Sequence, residues 1–185
     1  MENDPTTEHK PNLVLSGFMG TGKSTIGRIL AQRLNMQFAD TDTQIESEAG
    51  LTVSEIFRVH GESAFREMEH DMCERLSNCH NYVIATGGGA LLNPASRAAL
   101  ERTGVLILLT CDQQTLLQRL QESARRGERP LLRHDLEDAI ASIMQQREPA
   151  YSTISLKVDT TQLTPEQAAD AALELYLASI PVTWK

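Results

Sequence analysis

Residues Gly17 to Ser24 read GFMGTGKS, directly after the apolar run Leu13, Val14, Leu15 and directly before the helix-like stretch TIGRILAQRL. The GxxxxGK[ST] spacing is that of a phosphate cradle. Gly17, Gly20 and Gly22 let the backbone wrap closely around an anion with its amides pointing inward. Lys23 adds a point charge for β and γ phosphates, Ser24 offers a hydroxyl to Mg²⁺, and the helix that follows directs its positive end at the same place. A plain glycine-rich turn between strand and helix would not call for Lys and Ser at its last two positions.

Further groups that could do chemistry stand at intervals along the chain. Asp40 and Asp42 put two carboxylates two residues apart after a short apolar run, where they can hold Mg²⁺ through water or accept a hydrogen bond from an attacking hydroxyl. One of them could instead cap the helix expected over Thr43 to Ala49, and capping needs only one. Arg66 lies in a charged helical stretch with Glu62 and Glu69 in reach. Such exposed pairs commonly contribute only about 0.3 to 0.5 kcal/mol. Gly87, Gly88 and Gly89 are consecutive, which costs backbone entropy unless something must approach the chain closely. Arg147, at the end of a helix expected to stop at Pro149, and Arg129, before Pro130, could bind anions or complement helix ends.

The elements that must position these groups alternate. Strand candidates are Leu13 to Ser16, Gln37 to Ala39, Tyr82 to Ala85, Val105 to Thr110 and Ile154 to Val158. Between them, Thr52 with Glu55 forms a capping box before Val53 to Val59, Asn93 and Pro94 open another helix, and Thr164, Pro165 and Gln167 open the last. Short apolar strands alternating with helices imply a parallel sheet covered on both faces, an α/β sandwich with ligands at the carboxyl ends of the strands. The stretch Gln121 to His134, where charge, Gly127 and Pro130 interrupt the helical pattern, reads as a loop. A charged loop is commonly just solvated, but this one is dense in arginine.

Composition bounds the reading. A chain of 185 residues with 41% hydrophobic content suits one globular domain, with residues 1–11 expected to be disordered. No run approaches the roughly 18 apolar residues of a membrane span, and residues 1–11 lack the order of a signal peptide, which points to the cytoplasm. Cys73, Cys79 and Cys111 form no CxxC pair, so reduced thiols without a metal role are expected. The net charge of −8 argues against nucleic acid. An acidic protein that binds anions must concentrate its cations locally. Thirteen of the basic residues are arginines, whose planar forks grip carboxylate and phosphate, and five of these lie between Arg119 and Arg133.

Taken together, GFMGTGKSTIGR, the DTD of Asp40 to Asp42, FREME at Phe65 to Glu69, TGGGA at Thr86 to Ala90, RPLL at Arg129 to Leu132, REPAY at Arg147 to Tyr151 and VDT at Val158 to Thr160 resemble the shikimate kinase family. The resemblance runs from about Asn12 to Tyr176. It implies a P-loop kinase of the nucleoside monophosphate kinase type, with a five-stranded parallel sheet in the order 2-3-1-4-5 and a mobile lid at about residues 121–134. It also implies phosphoryl transfer from ATP to the 3-hydroxyl of shikimate, with Mg²⁺.

By the same resemblance, Gly20, Thr21, Gly22, Lys23, Ser24 and Thr25 would hold the phosphates of ATP, and Ser24 with Asp40 would hold Mg²⁺, Asp40 through water. Asp42 would contact the accepting hydroxyl, while Arg66, Gly87, Gly88, Gly89 and Arg147 would grip shikimate. Arg129 would close over the phosphates from the lid, acting with Lys23 and Asp42 in catalysis. Arg125 or Arg126, the latter the first choice, would meet adenine together with Pro165. An arginine common in the family's adenine loop is absent from Thr161 to Thr164. The partners implied are ATP and shikimate alone, acting on a monomer. A kinase for another small hydroxylated acid, such as gluconate, is disfavoured by Arg66 occurring together with the three glycines. A silent nucleotide-binding regulator is disfavoured by the presence of Lys23, Ser24, Asp40 and Asp42.

Overall fold

The computed structural model describes residues 10–125 and 136–181. Five parallel strands, β1 (Asn12–Gly17), β2 (Gln37–Asp40), β3 (Tyr82–Ala85), β4 (Gly104–Thr110) and β5 (Lys157–Asp159), pair in the order β2-β3-β1-β4-β5. Among the described residues seven helices flank them: α1 (Lys23–Leu34), α2 (Thr41–Ala49), α3 (Val53–Ser77), α4 (Pro94–Thr103), α5 (Gln113–Arg125), α6 (Leu136–Ser152) and α7 (Pro165–Ser179). The fold class and strand order agree with the sequence reading.

Alternation along the strands builds two cores, because successive side chains point to opposite faces. Val14, Ile84, Leu106 and Leu108 pack with Ile56, Phe65, Met72 and Leu76 of α3 and Leu100 of α4. On the other face Leu13, Leu15, Val83, Ile107 and Val158 meet Ile26 and Leu30 of α1 and Ala168, Ala172 and Tyr176 of α7. A third cluster sits beyond the carboxyl end of β1, where Phe18 and Cys111 pack with Leu116 and Leu120 of α5 and Ile140 of α6. The segments leaving β1, β2 and β3 emerge side by side, since Asp40 pairs with Ala85 and Leu15 with Ala85 across the sheet.

Two local expectations are corrected. The last strand is Lys157–Asp159 rather than Ile154 to Val158. Ile154 is buried in the connection, where its amide donates to the Tyr151 carbonyl (3.2 Å) and closes the preceding helix. That helix does not stop at Pro149, which lies inside α6. Its last turn is held from outside: Tyr151 Oη donates to the Gly88 carbonyl (2.7 Å) and Arg97 Nη1 to the Ala150 carbonyl (3.2 Å). The helical stretch from Val53 and the one carrying Arg66 are two helices joined within α3 by a kink at Gly61, whose φ of 83° and ψ of 169° are open to glycine and strained for other residues.

Cys73, Cys79 and Cys111 are free thiols. Among the described residues no helix is long and apolar enough to cross a membrane.

The capping box at Thr52 is formed in full, with the Glu55 amide donating to Thr52 Oγ1 (3.3 Å) and the Thr52 amide donating to Glu55 Oε2 (2.8 Å). Thr52→Ala is expected to lower unfolding stability by about 1 kcal/mol. Urea denaturation measures this, and an unchanged midpoint would mean that the start of α3 is held by packing alone.

Candidate active site

The phosphate loop is closed by its own polar groups. Between β1 and α1, the Thr21 hydroxyl donates to the Phe18 carbonyl (2.8 Å), and Lys23 Nζ donates to the carbonyls of Gly17 (2.8 Å) and Phe18 (3.0 Å). Helix α1 starts after Gly22, whose φ is 96°. It has no side-chain cap and no acidic residue in its first turn, so its leading amides and dipole are available to an anion. Gly20, Thr21, Gly22, Lys23, Ser24 and Thr25 thus lie together where the sequence placed them.

The two aspartates divide the roles that were left open. Asp40 is the cap of α2, accepting from the Thr43 amide (3.3 Å), and its other oxygen accepts from Ser24 Oγ (2.6 Å). Asp42 does not cap. Its Oδ1 is buried and has no hydrogen-bond partner among the described residues. Burial and the neighbouring charges of Asp40, Glu69 and Glu46 push its carboxyl up to about 6, against the pull of Lys23.

Each of the three glycines makes room for a charged side chain. A Cβ on Gly87 would stand 2.5 Å from Asp42 Oδ1 and 2.5 Å from Glu69 Oε1. One on Gly88 would collide with the Arg147 guanidinium, and one on Gly89 with that of Arg66. The close approach inferred from GGG is therefore made by the protein's own site groups. The buried hydroxyl of Thr41 ties this loop to the aspartates by accepting from the Gly87 amide (2.7 Å).

The two arginines are held differently. Arg66 Nη1 donates to Glu69 Oε2 (2.7 Å), and its Nε and Nη2 reach the exposed Glu62 at 3.3 and 3.2 Å. Glu69 is only 3% exposed, so this pair is not the ordinary surface pair that the sequence suggested. Burial raises the Glu69 carboxyl, while Arg66 and Arg147 oppose the rise. Arg147, carried by α6, lays its guanidinium over the Phe18 ring at 5.1 Å, with Nη1 buried and unpartnered among the described residues. Two cations and a carboxylate thus abut one stretch of backbone, Gly87 to Gly89, with the Gly17 carbonyl of the phosphate loop beside it, an arrangement whose chemistry suits a small hydroxylated acid.

Sequence reasoning passed over several contributors. Glu69 was only a possible ion-pair partner, although its spacing of three from Arg66 was visible. Thr41, Tyr151 and Phe18 carried no local signal. Neither did Arg119, whose guanidinium bridges the phosphate loop and the turn after β5, donating to the carbonyls of Gly20 (3.3 Å) and Thr160 (2.7 Å). Pro165 stands exposed at the start of α7, beyond that turn. Arg126 and Arg129, the Arg125 side chain and most of the expected lid lie outside the described residues.

Known proteins resemble this chain in sequence and in fold. The profile of the shikimate kinase family matches residues 19–176. The shikimate kinase of Caldicellulosiruptor bescii is 40% identical over 168 residues, 90% of this chain and 96% of the relative. That of Geobacter sulfurreducens is 43% identical over 150 residues, 80% of this chain and 81% of the relative. Among solved structures, the shikimate kinase from Acinetobacter baumannii in complex with shikimate superposes with a TM-score of 0.83 at 34% identity, covering 91% of this chain and 94% of that one. With the loop, the paired aspartates and the glycine-backed arginines all in place, the chain belongs to the shikimate kinase family.

Proposed function

We propose that this chain transfers the γ-phosphate of ATP to the 3-hydroxyl of shikimate, with Asp42, Arg66 and Arg147 holding the acceptor and the loop from Gly20 to Thr25 holding the donor. The observation that carries the assignment of residues is the convergence at Gly87 to Gly89, where Asp42, Arg66 and Arg147 all abut the same backbone. A guanidinium fork matches a carboxylate, and a carboxylate acceptor matches a hydroxyl. The side chains that abut these glycines offer both.

Ser24 and Asp40 present hard oxygen donors at the end of the phosphate loop, and they fit Mg²⁺. Among the described residues no cluster of three or more His, Cys, Asp or Glu is arranged for a metal. Mg²⁺ held through phosphate oxygens and waters needs only one or two protein oxygens. When bound, it supplies charge neutralisation on the β and γ phosphates. Phosphoryl transfer passes through a loose transition state, so the protein contributes chiefly by aligning the groups and neutralising spread charge. Lys23 brings that charge to the loop. Asp42 accepts a hydrogen bond from the 3-hydroxyl, orients it in line and takes its proton late. ATP as co-substrate and free thiols fit a cytoplasmic setting.

ADP release with ATP, Mg²⁺ and a panel of shikimate, quinate, gluconate and nucleoside monophosphates tests the assignment. Shikimate is expected to give the highest kcat/KM, and a faster reaction with gluconate or a nucleotide would overturn it. Arg66→Lys replaces a fork with a point charge and is expected to raise KM for shikimate far more than KM for ATP. Equal changes in both would remove Arg66 from the acceptor site.

Asp42 gives a paired prediction. Its ionised form is the acceptor, so kcat/KM is expected to fall about tenfold for each pH unit below about 6. Its raised pKa means that the folded state holds the proton more tightly than the unfolded one, so this group's effect on stability worsens as pH rises through that range. Asp42→Asn is therefore expected to cut turnover by orders of magnitude while stabilising the fold by up to about 3 kcal/mol at pH 7. That gain should fade as the pH is lowered toward 4. Thermal melts across pH, read beside turnover, check both halves.

A further inference from the structure

The two arginines of the acceptor site pose a contrast. Arg66 is fixed by carboxylates on two sides, whereas among the described residues Arg147 makes no ion pair. Its guanidinium lies over the face of the Phe18 ring, 5.1 Å from the guanidinium carbon to the ring centroid, with the Tyr151 hydroxyl also close to it. We propose that Phe18 is a positioning residue for the acceptor, and that its ring holds the Arg147 guanidinium in orientation while leaving its charge and donors to an incoming carboxylate. This rests on the reading of Arg147 as an acceptor-binding residue.

Phe18 is well placed for this. Its carbonyl is pinned in the phosphate loop by the Thr21 hydroxyl and the Lys23 ammonium, at 2.8 and 3.0 Å. Its side chain is 4% exposed and is backed by Cys111, Leu116, Leu120 and Ile140, so the ring cannot turn away. Gly88 leaves no Cβ to displace the guanidinium. A carboxylate in place of the ring would also orient an arginine, but it would compete with an anionic substrate for the same donors. An aromatic face attracts the cation through its quadrupole and leaves the in-plane N–H groups unengaged. One residue of the phosphate loop thereby serves the acceptor rather than the nucleotide.

Steady-state kinetics on a series in which position 18 carries phenylalanine, 4-fluoro-, 3,5-difluoro- or 3,4,5-trifluorophenylalanine tests this, because fluorine drains the ring face with little change of shape. KM for shikimate is expected to rise stepwise with fluorine number, KM for ATP to stay within about twofold, and Phe18→Leu to raise KM for shikimate by about five- to thirtyfold. In an Arg147→Met background the series should become flat. A flat series in the native background, or parallel rises in both KM values, would reduce Phe18 to packing and overturn the proposal. Should Arg147→Met itself leave KM for shikimate unchanged, the reading of Arg147 fails first. A raised KM in Arg147→Met together with a flat native series sinks the role of Phe18 alone.

Discussion

Asp42 and Glu69 press on the same glycine, Gly87, from two helices; Glu69 is buried, and so is the Oδ1 of Asp42. Two carboxylates so placed repel each other, and burial makes the repulsion costly. The surrounding arrangement can be understood as an answer to that constraint. Arg66 satisfies Glu69 directly, Lys23 offsets the charge of Asp42, and Arg147 offsets that of Glu69. Burial raises both carboxyls, but only Asp42 of the two has an unpartnered oxygen among the described residues. Glu69 is thus the paired carboxylate and Asp42 the one left with a bare oxygen, a division made by their partners rather than by residue type.

The sheet makes this convergence possible. Because β1 lies between β3 and β4, with β2 next to β3, the loops after β1, β2 and β3 open at one edge and bring the phosphate loop, the aspartates and the glycines together. The hydrogen bonds from Ser24 to Asp40 and from Gly87 to Thr41 lock the three loops to one another. Helices α3 and α6 then need only deliver one arginine each. Helix α6 does so while containing a proline, since its final turn is secured by tertiary bonds through Tyr151 and Ala150.

Features whose physics is local could be read from the chain. The phosphate loop, the capping boxes at Thr52 and Thr164 and the alternation of strand and helix each follow from spacing within a few residues. Features that depend on what lies opposite could not. Asp40 and Asp42 are the same residue type two positions apart, and only the fold shows that one caps a helix while the other is left bare. Likewise Arg66 and Glu69 look like a surface pair until α3 turns Glu69 inward. The three glycines signalled a close approach without saying by what. Helix propensity placed a stop at Pro149 that tertiary bonding overrode, and the length of β5 was set by its pairing with Leu108–Thr110 rather than by its own apolar run.

The posture of Lys23 bears on how the donor comes and goes. Its ammonium donates to the carbonyls of Gly17 and Phe18, so phosphate oxygens arriving at the loop take over acceptor positions that backbone oxygens already occupy. Binding at this point is an exchange of partners, whose net gain is much smaller than the strength of either bond taken alone. The departing nucleotide is replaced in the same way by the loop's own carbonyls. On the proposed role, a cation with backbone carbonyls to return to would let the loop recognise a triphosphate without being trapped by the diphosphate it leaves behind.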